Sequence, residues 1–155
     1  MKTLRVTASA IIEAPAERVY AIIADYRNGH PRILPKPYFL SLEVEQRGIG
    51  AGTVIRFQMR VLGKTQTSRA TITEPEPGRV LVETNEPSGV VTTFLVEPRE
   101  EGRHAEVTFR TDLPTRGGVF GPLERFLARW MLRRIYAKEL ALLAVVAEGR
   151  NDRGA

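Results

Sequence analysis

The sequence predicts an α+β domain in which a curved, antiparallel, seven-stranded sheet wraps around one long C-terminal helix. Alternating apolar and polar residues recur in seven short segments separated by turn residues, which is typical of half-buried strands. Residues 123–148 follow as one helical segment without Gly or Pro. The sheet must cover one of its faces, and only this helix is large enough to do so. A wedge-shaped space is then expected between the helix and the curved sheet, and it is either filled by side chains or holds a ligand.

The N-terminal part of the chain predicts one strand followed by short helices. Residues 4–13 alternate and form the first strand. Pro15 suits the first turn of a helix that ends near Asp25. A loop over residues 26–38 follows, and its prolines limit it to a short helical turn around residues 32–34.

Six more strands are predicted between this loop and the C-terminal helix. The clearest alternation places Ile55, Phe57, Met59 and Val61 on one strand face. Glycine-rich residues 48–52 form the turn before that strand. The predicted strands are residues 41–46, 53–62, 65–74, 79–84, 90–97 and 104–113.

The composition predicts one soluble globular domain over residues 1–149, with a flexible tail at residues 150–155. The chain has no cysteine, which excludes disulfides and thiolate chemistry and is compatible with a cytoplasmic location. Its N-terminus lacks the apolar core of a signal peptide. No segment approaches the roughly 20 apolar residues that span a bilayer.

The formal net charge is +5, and basic residues concentrate at Arg125, Arg129, Arg133 and Arg134. No zinc-finger, basic-zipper or RNA-binding aromatic signature accompanies them, so no nucleic-acid partner is expected and a solvated basic surface is favoured. An alternative is a salt-sensitive contact of this surface with an acidic protein or an anionic membrane.

Three segments carry a resemblance to a known superfamily. They are residues 12–20 (IEAPAERVY), residues 24–26 (ADY) and residues 48–53 (GIGAGT). In these segments and in element order, the chain resembles the helix-grip (SRPBCC) superfamily of START lipid-transfer domains, birch-pollen-allergen proteins and bacterial polyketide cyclase-like proteins. The resemblance implies a cavity between sheet and C-terminal helix that binds a hydrophobic molecule. Residues 25–35 resemble the coenzyme Q-binding branch.

Helical spacing predicts which face of the C-terminal helix the sheet covers. Arg134 falls near the middle of this predicted stripe, where a charge needs a partner or access to water. It either contacts a ligand carboxylate, phenolate or carbonyl, or it has the slightly favoured structural role of pairing with a sheet carboxylate or reaching solvent. The stripe comprises Val119, Phe120, Leu123, Leu127, Trp130, Met131, Ala137, Ala141 and Val145.

The candidate ligand-binding residues lie on the inferred inward faces. The cavity lining is predicted as Phe57, Met59, Ser68, Thr92, Phe94, Val107, Phe109, Trp130, Met131 and Arg134, and the mouth as Tyr26, His30 and Tyr38. His30 is favoured as an exposed loop histidine, and Glu83 and Asp112 are expected in solvent. His30 and His104 lack metal-ligand spacing, so neither a metal nor a cofactor is expected.

Three functions remain open on this basis. The leading one is binding, and possible transport, of a hydrophobic molecule such as a lipid, an isoprenoid quinone or an aromatic polyketide. The alternative is a polyketide cyclase or dehydratase, in which Arg134 and a Tyr or His at the mouth stabilise an enolate or move a proton. A shortage of titratable inward residues argues against that enzyme. The third is a scaffold that uses the basic helix surface, and the oligomeric state stays undetermined.

Overall fold

The computed structural model describes residues 2–61, 63–115 and 121–149. The elements in chain order are β1 (Lys2–Ile12), α1 (Ala16–Ala24), a first 3-10 helix (His30–Ile33), β2 (Phe39–Gln46), β3 (Val54–Val61), β4 (Lys64–Glu76), β5 (Val80–Glu86), β6 (Val91–Arg99), a second 3-10 helix (Glu100–Gly102), β7 (His104–Thr115) and α2 (Gly121–Ala147). The predicted order of elements is confirmed.

All seven strands belong to one antiparallel sheet with the order β1-β7-β6-β5-β4-β3-β2. The first strand pairs with the last along its whole length, from Lys2 opposite Thr115 to Ile12 opposite Ala105. Two register shifts interrupt the pairing of β2 with β3, and such shifts bend an edge strand. The helices α1 and α2 contribute to the same buried core as the sheet. This is the expected helix-grip fold.

The predicted buried face of α2 is wrong. Leu123 is 60% exposed, Leu127 40% and Trp130 51%, and Arg134 is also exposed. The physical reason is that α2 carries two apolar stripes, and Glu139 interrupts the one that the sheet covers. That covered stripe comprises Ile135, Tyr136, Leu140, Leu143 and Ala147 together with Glu139. Val119, Phe120 and the predicted tail at residues 150–155 lie outside the described residues.

The glycine-rich turn between β2 and β3 is tied to α1 through one carboxylate. Tyr20 Oη donates a hydrogen bond to Glu74 Oε2 at 2.6 Å, and the Ala51 backbone N–H donates to Glu74 Oε1 at 2.7 Å. Gly50 has a φ of +65°, and a Cβ there would lie 2.4 Å from Glu74 Oε1. Glycine is therefore favoured at this position by its backbone conformation, and a larger residue there would also displace the Glu74 carboxylate.

Replacing Gly29 by alanine is expected to lower the free energy of unfolding by about 1–3 kcal/mol. A Cβ at Gly29 would lie 2.4 Å from the Ile22 backbone oxygen, so α1 and the following turn would have to separate. Urea unfolding measures the loss. The control is Asn28→Ala on the same turn, where the side chain is exposed and the change should stay within about 0.5 kcal/mol. Equal stability of the two variants would contradict this close contact.

Candidate ligand-binding cavity

A cavity of about 110 Å³ lies between the sheet and α2. Its apolar wall is formed by Leu34, Phe39, Leu42, Ile55, Phe57, Met59, Val90, Phe94, Leu132 and Ile135. Leu34, Phe39 and Leu132 are only half-buried, so this wall reaches the protein surface at the first 3-10 helix, β2 and α2. Its polar wall comprises His30, Glu83, Asn85, Thr92, Thr111, Tyr136 and Glu139.

The register of β5, β6 and β7 places three residues of the polar wall side by side. Glu83 of β5 lies opposite Thr92 of β6, and Thr92 lies opposite Thr111 of β7, so three polar side chains form a row across the sheet. The Thr92 and Thr111 hydroxyls are 2.9 Å apart and share a hydrogen bond. Thr111 Oγ1 is also hydrogen-bonded to Tyr136 Oη of α2. The row therefore continues from the sheet onto the helix.

Tyr26 and His30 meet Glu83 at one end of this row. Tyr26 Oη donates to Glu83 Oε1 at 2.5 Å, and the Tyr26 ring stacks on the His30 ring with 4.4 Å between centroids. His30 Nδ1 lies 2.8 Å from the Ile23 backbone oxygen, which can only accept, so Nδ1 carries a hydrogen. His30 Nε2 is then directed toward Glu83 Oε1, 3.6 Å away. Protonation of this nitrogen would create an ion pair with Glu83.

Glu139 adds a second carboxyl group to the polar wall from α2. It is 3% exposed, and burial raises its pKa well above the usual value, with a further increase from the negative charge of Glu83. Burial and the charge of Glu139 likewise raise the pKa of Tyr136. Burial, followed by the charge of Glu83, raises the pKa of Tyr26. The two phenols thus keep their protons, and the Glu139 carboxyl retains its proton at a higher pH than a solvated one.

Asn85 contributes an acceptor whose hydrogen-bonding capacity is unused. Its Nδ2 donates to the Val90 backbone oxygen at 3.2 Å, which fixes the orientation of the amide. Its Oδ1 is buried and has no hydrogen-bond partner in the described part of the chain, and the residue is 7% exposed. Leaving such an acceptor unsatisfied costs about 1–3 kcal/mol. Asn85 therefore adds to the residues that line the cavity an unpaired acceptor of fixed orientation.

The predicted site residues divide into four groups. Phe57, Met59, Thr92, Phe94 and His30 line the cavity. Tyr26, Val107 and Phe109 are buried in the core behind the lining, whereas Ser68, Tyr38 and Met131 are half-buried outside it. Trp130 and Arg134 are exposed on the outer side of α2, which contradicts their expected inward position. Whether the lining residues contact a ligand stays a prediction.

The expected solvent environment of His30 and Glu83 is wrong. His30 is 3% exposed and Glu83 9%. In β5 the buried positions are Leu81, Glu83 and Asn85, so the polar residues share the inward face with one leucine, while Val80 and Val82 are half-exposed. Val80 and Val82 lie on the opposite face of β5, and their apolar character indicated, wrongly, that this face was the buried one. The signal for the true face was Leu81, whose spacing from Glu83 and Asn85 places all three on one side of the strand.

Asp112, which the sequence placed in solvent, pairs with Arg5 on the neighbouring strand. Arg5 Nε lies 2.7 Å from Asp112 Oδ1, and the Asp112 side chain is 23% exposed. The interaction with Asp112 also raises the pKa of Arg5. The ion pair of Asp112 with Arg5 therefore links β7 to β1, and Asp112 is not one of the residues that line the cavity.

Arg134→Ala is expected to change the free energy of unfolding by less than about 1 kcal/mol, because the guanidinium makes an exposed cation–π contact with Trp130, 5.6 Å from the ring centroid. The matched variant is Ile135→Ala, one residue along the helix, where a side chain that is 2% exposed is removed at an expected cost of about 2–5 kcal/mol. Denaturant unfolding compares the two. A loss at Arg134 as large as that at Ile135 would restore an inward structural role.

Two other kinds of site are absent from the described part of the chain. Across residues 2–61, 63–115 and 121–149, no group of three or more His, Cys, Asp or Glu side chains is placed to hold a metal ion. Within the same ranges, no helix combines the length and the apolar character needed to cross a bilayer.

Residues 3–148 match the family model described as polyketide cyclase / dehydrase and lipid transport. Comparison with curated proteins finds no match. The NMR structure of KanY protein is 28% identical, with a TM-score of 0.82 over 96% of this chain and 99% of that one.

Two further solved structures have the same fold at lower identity. The Zhui aromatase/cyclase from Streptomyces sp. R1128 is 21% identical, with a TM-score of 0.67 over 99% of both chains. A START superfamily protein from Mycobacterium smegmatis is 15% identical, with a TM-score of 0.74 over 96% of this chain and 99% of that one. The superfamily resemblance found in the sequence is confirmed.

Proposed function

Because the chain belongs to the polyketide cyclase/dehydrase and lipid-transport family, we propose that it binds a small hydrophobic molecule in the cavity between the sheet and α2. One observation supports this above the others: the cavity has an apolar wall that reaches the surface and a polar wall deep in the fold. Ligand sites commonly combine a mostly apolar surface with a few oriented polar groups. The apolar wall would supply affinity, and the polar wall would orient the ligand.

The cavity volume limits the part of the ligand that is enclosed. An engineered cavity of about 150 Å³ holds one benzene molecule, and the cavity here measures about 110 Å³. The enclosed volume is smaller than that of the engineered cavity, so it favours a short chain or a ring that is only partly enclosed. A lipid, an isoprenoid quinone or an aromatic polyketide would insert one end, with the remainder passing between Leu34, Phe39 and Leu132. The proposal places the protein in the cytoplasm, where it would hold or carry such a molecule.

Blocking the cavity should abolish binding. In Leu42→Trp an indole would occupy the apolar wall, so the affinity for toluene or a similar single-ring probe should fall at least about tenfold, a loss of about 1.4 kcal/mol. Isothermal titration calorimetry measures the affinity. The control is Leu40→Trp on the same strand, where the leucine is 45% exposed and does not line the cavity. The proposal fails if native protein binds no such probe, or if both variants bind it equally.

An enzyme of the cyclase or dehydratase type is the second candidate, and the two buried carboxyl groups favour it. Glu139, whose pKa is raised by burial and by the charge of Glu83, would donate a proton to a departing hydroxyl or a forming enol, and the Glu83 carboxylate would accept one. The shortage of inward titratable residues expected from the sequence no longer argues against this reaction. Glu139→Gln should then lower turnover of a polyketide-like substrate about 10²–10⁴-fold while the affinity for a neutral ligand is retained.

A further inference from the structure

We propose that the ligand carries a primary ammonium group, which Glu83, Glu139 and the side-chain oxygen of Asn85 hold together. This inference rests on the proposed function, because it assigns the polar group of the same hydrophobic ligand. The resulting ligand class is a small apolar amine, with a ring or short chain against the apolar wall.

Unused acceptors on the polar wall are the first support. Glu83 Oε1 already accepts from Tyr26, whereas none of the described residues donates a hydrogen bond to Glu83 Oε2 or to the Glu139 carboxyl. Asn85 is among the residues that line the cavity, its Oδ1 is an acceptor independent of the carboxyl groups, and the bond from Asn85 Nδ2 to the Val90 backbone oxygen fixes the orientation of the amide. An ammonium group has three N–H donors and no acceptor. Its hydrogen-bonding capacity therefore matches the three side chains.

The balance of charge on the polar wall is the second support. The titratable groups that face Glu139 and Glu83 are His30, Tyr26 and Tyr136, and neither a lysine nor an arginine is among the described residues that line the cavity. An ionised carboxylate in an apolar environment requires a partner. Of these three groups only the imidazole of His30 can carry a positive charge, and it lies beside Glu83, with 3.6 Å between Nε2 and Oε1, so an ionised Glu139 would have no cationic partner of its own. A ligand ammonium would supply the missing charge.

The aromatic side chains around the cavity are the third support. Phe57, Phe94 and Tyr136 all line the space into which Glu83 and Glu139 project. A cation within about 6 Å of an aromatic ring centroid is attracted by the negative face of the ring. The same rings offer apolar surface to the body of the ligand. A ligand carboxylate would be repelled by the carboxyl groups of the polar wall and by the negative faces of the aromatic rings. An alcohol has one O–H donor and would leave acceptors of the polar wall without a hydrogen bond.

The test uses three probes with the same ring: benzylamine, benzyl alcohol and benzoate. Calorimetry with the native protein at pH 7 should show benzylamine binding at least about tenfold more tightly than benzyl alcohol, with benzoate weakest. Benzylamine binding should release protons at pH values where Glu139 is still protonated in the free protein, and heats measured in two buffers of different ionisation enthalpy detect that release. Benzyl alcohol should release none.

Two variants locate the effect at the polar wall. Glu139→Gln should reduce the amine-to-alcohol affinity ratio at least about tenfold, and its matched control is Glu124→Gln, an exposed carboxylate on the same helix. Asn85→Leu removes the independent acceptor and should lower the affinity for benzylamine more than that for benzyl alcohol. This second variant keeps the test decisive if Glu139→Gln does not fold.

The failures of the two proposals are distinguishable. If benzyl alcohol or toluene binds while benzylamine has no advantage, the ammonium site is overturned and the hydrophobic cavity stands. The ammonium site is equally overturned if its advantage survives both Glu139→Gln and Asn85→Leu. If none of the three probes and no toluene bind, both the site and the proposed function are overturned.

Discussion

Phe109→Ala is expected to lower the free energy of unfolding by about 3–5 kcal/mol. Phe109 is fully buried, and its ring meets the rings of Phe94 and Tyr136 edge to face, at centroid distances of 4.8 and 5.6 Å. Truncation removes both aromatic contacts and leaves a cavity directly behind the ligand cavity, where the strands and α2 cannot close it. Urea or thermal unfolding monitored by circular dichroism measures the loss.

The matched control for this variant is Phe126→Ala, in which the same atoms are removed from a side chain that is 66% exposed. Its stability should change by no more than about 0.5 kcal/mol. The comparison also tests the sequence-based placement of Phe109 on the cavity lining. A variant that kept its stability but lost ligand affinity would support that placement, and it would contradict the structural role assigned here.

The number and order of the strands were predictable because their signals are local. Alternation between polar and apolar neighbours and the turn residues between segments each occupy only a few positions. In β3, for example, Ile55 and Phe57 are buried and Arg56 is exposed, as the alternation predicts. The glycine turn at residues 48–52 likewise lies between β2 and β3 as expected.

The buried face of α2 was not predictable in the same way. Both sides of this helix carry apolar residues at helical spacing, so periodicity alone leaves the choice open. Glu139 gave the covered side a charged residue, which is typical of a solvated face. Trp130 and Leu127 gave the exposed side large apolar residues, which are typical of a buried face. The deciding factor is the shape of the sheet, which no local pattern contains.

Apart from Thr92 and His30, which were predicted as site residues, the polar wall was not predicted, because its parts are distant in sequence. His30 follows α1, Glu83 lies on β5 and Glu139 on α2, and each alone has the pattern of a solvated residue. Only the fold brings Tyr26 and His30 against Glu83, and only the register of β5, β6 and β7 aligns Glu83 with Thr92 and Thr111. Candidate sites made of scattered polar residues therefore require the tertiary structure.

Glu139→Gln is expected to be more stable than the native protein above neutral pH, and the difference should shrink as the pH falls toward 4.5. The pKa of Glu139 in the folded protein is raised well above the ordinary value of 4.5, mainly by burial and further by the charge of Glu83. The folded state thus binds this proton more tightly than the unfolded state. Stability from the protonated carboxyl is complete below the unfolded pKa and is lost as the pH rises through the folded pKa.

Glutamine resembles the protonated carboxyl in shape but cannot ionise, so Glu139→Gln removes this pH-dependent loss. Each unit by which the folded pKa exceeds the unfolded one adds about 1.4 kcal/mol to the advantage of the variant at high pH. Urea unfolding from pH 4.5 to pH 9 measures the difference, and Glu124→Gln on the exposed side of α2 should give parallel curves for variant and native protein. A constant difference between Glu139→Gln and native protein across this range would show that Glu139 titrates as a solvated carboxylate, which would contradict its assignment as a buried proton donor on the polar wall.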